Sequence, residues 1–585
     1  MKYRWVTRPV HNPEAVARLQ AELNSLPEAL ARALVLRGVE TFDEARHFFR
    51  PTLDDLHDPF LMRDMDAAAD RVATALRRGE RILVYGDYDV DGATSSALMT
   101  HFLRAHGADA EYFIPDRMKD GYGLGAAGID HAAEIGAGLI VALDCGITAV
   151  REAEAIRARG IDLVICDHHT PKATLPDAVA VLDPKRPGCP YPFKELCGCG
   201  VTFKLVQAVL ARLGKPPEDA LPYLDLVALA TAADIVPVTG ENRVLLSEGL
   251  KRLRAAPRLG LRALATSAGL DLAGLNTSRL VFGFGPRINA AGRLASARPA
   301  VDLMLAEDED RAAALAQTIE ELNRKRRTLD GAIAQQAGRM AERQLTARER
   351  YAIVLHDPEW HPGVIGIVAS RIVERFYRPS VMLSTVGDRL KGSARSIHGV
   401  DVFEALTACA DLLTEFGGHK YAAGLSLPEE NLPAFRERFD EAVRASITAE
   451  MLLPAIEFDA PLRLSEIDAR FWAVLRQFAP FGPRNPTPVF HARDLYVAGR
   501  PKTVGDGTHL KFSVRHADGP AMSAIGFGLG EHLPTLLESR RRGTPIELLF
   551  KVEENTWNGR TSLQLVARDL RLETVPQEKQ AADAS

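Results

Sequence analysis

Cysteine is scarce: six in 585 residues, at positions 145, 166, 189, 197, 199 and 409. That is too few for a disulfide framework, and most stand in apolar or glycine-flanked surroundings, so a reduced, cytoplasmic protein is expected. Cys189, Cys197 and Cys199 lack the paired C-x₂-C spacing of a zinc site. Long hydrophobic runs are missing too. No stretch approaches the roughly 18 uninterrupted apolar residues of a membrane span. The opening segment has no apolar run behind its charges, so no secretory signal is expected. Nor is there a positive excess: 72 Lys and Arg face 77 Asp and Glu, for a net charge of −5. This excludes a basic coat for nucleic acid and leaves room only for a local positive strip. The absence of G-x-x-x-x-G-K-[ST] argues against an ATP-driven helicase. The G-x-G-x-x-G match at Gly123–Gly128 has no strand directly before it, which excludes a dinucleotide enzyme. No internal repeat is visible.

What is present is globular: 46% hydrophobic and 25% charged residues, enough for roughly three or four domains. Residues 1–80 read as helical. A strand–helix alternation follows, with apolar strands at 81–86, 110–115, 139–143, 163–166 and 179–182. It argues for a parallel sheet covered by helices on both faces. Residues 202–300 read as mostly helical. Leu315, Ile319, Leu322, Leu329 and Ile333 then recur at helical spacing in one long amphipathic helix. The plain reading of its basic run, Arg324 to Arg327, is a solvated face. A second α/β unit spans about 350–450. Short alternating segments after 455 suggest a small all-β barrel. The tail from Pro576 is polar, and disorder is expected.

The strongest chemical signal is Gly86-Asp87-Tyr88-Asp89-Val90-Asp91-Gly92, three carboxylates at alternate positions directly after a strand. Ligands of open α/β sheets bind beyond the carboxyl ends of strands, and clustered acids call for a hard divalent cation such as Mg²⁺ or Mn²⁺. An EF-hand would need Glu at the twelfth loop position, which here is Leu98. Two further strands end in Asp144-Cys145-Gly146 and Asp167-His168-His169. Asp234, in Ala232-Ala233-Asp234-Ile235-Val236-Pro237, taken alone would be a helix cap.

Together GDYDVDG, LDCGIT, ICDHH and ATAADIVP resemble, in order, the four motifs of the DHH phosphoesterase superfamily. The resemblance implies a site for two Mn²⁺ or Mg²⁺ ions, with Asp87, Asp89, Asp91, Asp144, His168 and Asp234 as ligands. It gives Asp89, Asp91, His168 and His169 catalytic roles. Many members carry His four residues before the first paired Asp; here that position is Tyr85, a departure shared with RecJ-like members. Further stretches resemble the RecJ family. They are Pro115-Asp116-Arg117 with Gly121-Tyr122-Gly123-Leu124, Phe284–Leu294, Trp360–Gly366, Gly392–Ser396, Gly417-Gly418-His419 and Pro480–Phe490. Candidate phosphate and DNA contacts are Arg117, Arg287, Asn289, Arg293, His361, Ser393, Arg395, Gly417, Gly418 and His419. Arginines pair bidentately with phosphate, and glycines let backbone N–H groups approach it. The alternative for each arginine is an interdomain ion pair.

The resemblance implies an α/β fold. Its parts are a parallel-sheet DHH domain with an N-terminal helical extension (1–300), a connecting helix (301–345), a DHHA1-type domain (346–450), an OB-type barrel (451–577) and a tail (578–585). It implies a 5′→3′ exonuclease of single-stranded DNA acting in recombination and mismatch repair. Single-strand-binding protein and a helicase are implied as partners, with no membrane, and a monomer is expected. The alternatives are a phosphodiesterase of short oligonucleotides or cyclic dinucleotides, and a silent single-strand binder.

Overall fold

The computed structural model describes residues 3–117, 119–557 and 559–573. The expected tail, 578–585, lies outside the described residues. The chain divides into two compact units, Leu53–Pro454 and Met1–Thr52 with Ala455–Ser585.

The unit Leu53–Pro454 begins with a five-stranded parallel sheet in the order Ala110–Phe113, Ile82–Gly86, Leu139–Leu143, Asp162–Cys166, Ala180–Leu182. Ile82–Gly86 and Leu139–Leu143 are buried at every position, as expected of a parallel sheet covered on both faces. Side chains alternate between two cores. Val84, Val141 and Val164 pack into one, while Leu83, Ile140 and Leu163 pack into the other, following the two-residue period of a strand. All strands point the same way, so the segments following them gather along one sheet edge.

The long helix spans Glu309–Ala347, starting later than the expected 301. Arg298–Met304 forms its own short helix. Asp308 then caps the long one, its side chain accepting the Arg311 N–H, and this cap sets the boundary. Within the basic run Arg324, Lys325 and Arg327 are exposed, as a solvated face requires. Arg326 is buried and donates to Asn323 and Asp330. Beyond the helix a second sheet runs Glu415–His419, Ala422–Leu427, Arg389–Arg395, Ser380–Val386, Ile353–His356. Only its last pair is parallel.

In the other unit, strand Phe490–Val504 pairs with both His509–Arg515 and Ile546–Trp557. Met522–Gly526 and Arg560–Leu572 complete the ring, so the sheet closes into a barrel. The N-terminal segment packs here, which corrects its expected grouping with the parallel sheet. Strand Arg4–Thr7 pairs in parallel with Ala455–Phe458. Leu19, Leu30, Leu34 and Phe48 share one core with Phe471, Phe478 and Phe490. Three short helices cannot bury an apolar face alone, and their partner is distant in sequence. No helix among the described residues is long and apolar enough to cross a membrane.

Candidate metal centre and anion-binding cavity

Asp89 caps the helix Val90–Ala105, accepting N–H groups from Asp91 at 2.8 Å and Gly92 at 3.1 Å. Asp91, one residue into that helix, is aimed at the start of another. Its Oδ2 accepts from Gly198 N at 2.6 Å and its Oδ1 from Cys199 N at 2.8 Å. Two orphan N–H groups of the helix Gly198–Arg212 thus hold a carboxylate. A Cβ on Gly198 would lie 2.7 Å from Asp144 Oδ1, so only glycine allows this approach. Asp144 follows its strand with a left-handed backbone, φ 59°. Nε2 of His168 stands 3.2 Å from Asp144 Oδ1, 3.6 Å from Asp234 Oδ2 and 3.8 Å from Asp91 Oδ2.

Two ligand sets emerge, each with donor atoms within 4.8 Å of one another: Asp91, His168 and Asp234, and Asp87, Asp89 and Asp144. Every sequence-proposed acid and His168 falls into one of them. Burial, and then each other's charge, pushes the Asp87, Asp144 and Asp234 carboxyls well above the usual carboxylate range. Burial and then Asp89 push Asp91 up to about 7. Burial, with the neighbouring His169, holds His168 down at about 3, so its imidazole is neutral at pH 7. Asp87 Oδ1, Asp234 Oδ2 and both His168 ring nitrogens are buried without a hydrogen-bond partner. Unpartnered buried oxygens and a neutral imidazole are the donor set that suits Mn²⁺ or Mg²⁺.

Asp167 organises this edge, though the motif itself names only its histidines as functional. It accepts the N–H groups of Ile147, His168 and His169, and His169 Nδ1 donates to it at 2.7 Å. Burial opposes its ionisation, but these bonds hold its carboxyl at about 2. Against its own burial, His169 is raised by Asp167.

Beside the acids opens a cavity of about 830 Å³. Arg117, Arg293, Ser393, Arg395, Gly417, Gly418 and His419 all line it, as do Tyr122 and Lys391. Arg395 donates to Ser393 Oγ and the Ala394 carbonyl, each at 2.8 Å. The Arg117 guanidinium lies over the Tyr88 ring, 5.1 Å from its centroid, a cation–π contact. Burial, then Arg117 and Arg395, pull Arg293 down to about 10. No carboxylate forms an ion pair with Arg117, Arg293 or Arg395 among the described residues. Gly418, at φ 142°, could not carry a side chain: a Cβ would meet the Ala422 carbonyl at 2.5 Å.

Three proposed contacts lie outside the lining. Arg287 ion-pairs with Glu320 of the long helix at 2.5 Å, the alternative weighed for these arginines. Asn289 accepts the Val90 N–H at 3.1 Å and so supports the loop of acids. His361 accepts the Gly363 N–H through Nδ1. Tyr122, half exposed, links cavity and acids. Its hydroxyl is 3.4 Å from the Asp144 carbonyl and from the His169 ring. Its signal in the sequence is an aromatic residue set between glycines.

Residues 81–231 match the DHH family N-terminal domain, 349–445 the DHHA1 domain and 458–569 the RecJ OB domain. The chain is 39% identical over 571 residues to the single-stranded-DNA-specific exonuclease RecJ of Bacillus subtilis, covering 97% of this chain and 71% of that one. It is 37% identical over 584 residues to RecJ of Dickeya dadantii, covering 97% and 99%. Its fold matches the crystal structure of RecJ in complex with Mn²⁺ from Thermus thermophilus with a TM-score of 0.81. That match has 31% identity and covers 98% of this chain and 80% of the other. Three domain matches in one order, and this degree of identity over nearly the full length, show that the chain belongs to the RecJ family.

Proposed function

We propose that this chain is a metal-dependent exonuclease that degrades single-stranded DNA 5′→3′ to mononucleotides in recombination and mismatch repair. One observation carries the reading. A cluster of unpaired acids adjoins a cavity of unpaired arginines, and Tyr122 touches both. Relatives of the same family are single-stranded-DNA-specific exonucleases.

The metal ligands are Asp87, Asp89, Asp91, Asp144, His168 and Asp234. Two bound divalent ions supply a water nucleophile at neutral pH and neutralise charge on the reacting phosphoryl group. The chain's own residues do the rest. Arg117, Arg293 and Arg395, with Ser393 and the Gly417–His419 strand, hold the 5′-terminal phosphate, whose extra negative charge distinguishes it from an internal diester. That anchors the first nucleotide with its 3′ bond over the acids. His169, held by Asp167 through Nδ1, keeps Nε2 to protonate the departing 3′-oxygen. Water adds to phosphorus, the P–O3′ bond breaks, and a nucleoside 5′-monophosphate leaves. The shortened strand bears a new 5′-phosphate, which the same cavity accepts.

The barrel supports work on long strands by stacking and backbone neutralisation. A phosphodiesterase confined to short oligonucleotides or cyclic dinucleotides has no use for it, and a silent binder has no use for the full ligand set. Single-strand-binding protein and a helicase are the partners that fit a cytoplasmic monomer of this kind. A pull-down without contact to single-strand-binding protein would remove direct docking from the proposal. The central test is digestion of single strands labelled at either end, with Mn²⁺, with Mg²⁺ and with neither. Release of 5′-mononucleotides that needs metal and favours 5′-phosphorylated ends is expected. Release from the 3′ end would overturn the polarity.

A further inference from the structure

The parallel sheet places one charged group after another along its carboxyl edge. Arg117 follows the first edge strand, Ala110–Phe113. The acids 87, 89 and 91 follow the next, Asp144 the central one, and Asp167 to His169 the fourth. The last strand, Ala180–Leu182, runs into Asp183-Pro184-Lys185-Arg186. Cations thus stand at both ends of a row of acids. At about 4.8 Å per strand, each end lies roughly 10 Å from the central strand. The charges group accordingly. Arg117 acts on Asp87 and Arg293 on the Asp89 side, whereas Lys185 acts on Asp234 and His168.

The turn that carries Lys185 is built. Asp183 is fully buried, its Oδ1 accepts the Lys185 N–H at 2.7 Å, and its carbonyl accepts the Arg186 N–H at 3.2 Å. Arg186 is committed elsewhere, to Asp64 and the Val181 carbonyl. Lys185, half-buried, forms no ion pair among the described residues.

We propose, resting on the exonuclease reading, that Lys185 binds the first phosphate on the 3′ side of the scissile bond. The 5′ end occupies the arginine cavity at one end of the row and the scissile phosphate lies over the acids, so the following phosphate reaches the opposite end. The residue types agree. A terminal monoester with two negative charges meets guanidinium forks, while an internal diester with one meets a single compact ammonium.

The test compares 5′-phosphorylated di- and trinucleotides with Mn²⁺, because only the trinucleotide has a phosphate beyond the scissile bond. Lys185→Ala lowers the ratio of trinucleotide to dinucleotide kcat/KM by roughly tenfold, the scale of one hydrogen bond to a charged group. Lys185→Arg retains most of that ratio. Binding of the trinucleotide without divalent ion loses about 0.7 from its salt slope, the share of one single-strand phosphate. Should the Ala variant fail to fold, Lys185→Gln serves in its place. An unchanged ratio, whether both rates fall together or neither moves, overturns the proposal. Unmutated protein that does not release the 5′ nucleotide of either substrate overturns the underlying reading instead.

Discussion

The acid-lined sheet edge and the arginine-lined cavity are opposite in sign and alike in construction. In each, groups of one charge are gathered out of water with few counter-charges. Asp87 and Asp234 keep buried oxygens without partners, and Arg293 and Arg395 are drawn below the usual guanidinium range by burial and by other arginines. Folding alone would pair the two sets with each other, since an unpaired buried charge is costly. Instead backbone groups hold them apart: helix N–H groups take Asp89 and Asp91, and carbonyls take Arg293 and Arg395. Each cluster is thus complementary to an external ligand of opposite charge, cations for one and phosphate for the other. The chemistry proceeds where the two meet.

Removing a charge from the acidic side should have the largest effect. Asp89→Asn keeps a good helix cap and deletes a carboxylate, so the fold should persist while kcat falls at least about 10³-fold. A variant with normal cleavage would remove the acids from catalysis. On the arginine side Arg395→Ala should lower kcat/KM on 5′-phosphorylated ends by about 10- to 100-fold, corresponding to ~1.5–3 kcal/mol for a hydrogen bond to a charged group. It should also narrow the gap between 5′-phosphate and 5′-hydroxyl ends. Equal rates on both ends in the unmutated protein would sink the cavity's role.

The two clusters were unequally legible. The acids stand in contiguous motifs at strand ends, and the alternating strand pattern brings those ends together, so every proposed ligand falls into one of the two sets. Cavity residues come from elements as distant as Arg117 and Ser426, and nothing local separates an arginine that faces it from one that pairs inward. Arg287 and Arg293 lie on one helix, Gly285–Leu294, yet the first meets Glu320 while the second lines the cavity. The hold on Asp91 by Gly198 and Cys199 was likewise illegible, being a contact of backbone N–H groups across 107 and 108 residues. The N-terminal helices were grouped with the wrong neighbour for a related reason: amphipathic periodicity shows that a face is buried, but not against what.

That last point sets a third prediction, of intermediate size. Removing 455–585 alone would strip the cover from Leu19, Leu30, Leu34 and Phe48, and aggregation is the expected outcome. A chain cut to 53–454 keeps both charge clusters. It should digest short oligonucleotides near the full-length rate, with affinity for long strands and its salt dependence reduced roughly tenfold or more. Undiminished binding of long strands by the cut chain would place the DNA track outside the barrel.

The smallest effect concerns protons and metal competing for the same acids. The unfolded pKa of an Asp is about 3.9. In the folded protein Asp91 is pushed up to about 7, and Asp87, Asp144 and Asp234 are raised in the same direction by burial and mutual repulsion. The native state therefore holds protons more tightly than the unfolded state. This contribution is largest at low pH and is lost as pH rises through the folded pKa. His169, also raised, acts in the same sense. Asp167, held at about 2, has no influence above pH 4. His168, lowered to about 3, weakens the fold only where the unfolded imidazole protonates, below about pH 6.5. Between pH 6.8 and 8.5 the metal-free protein should consequently lose stability, and divalent ions should restore it by taking the place of the protons. Melting with chelator and with millimolar Mg²⁺ at the two pH values should give a metal-induced rise in Tm that is larger at pH 8.5 by several degrees. Asp91→Asn should shrink that difference. The arginine cavity gives no matching signature, because its guanidinium groups stay charged throughout the range. Equal metal-induced shifts at both pH values would mean that the acids are already paired within the protein, and the likeness between the two clusters would fail on the acidic side.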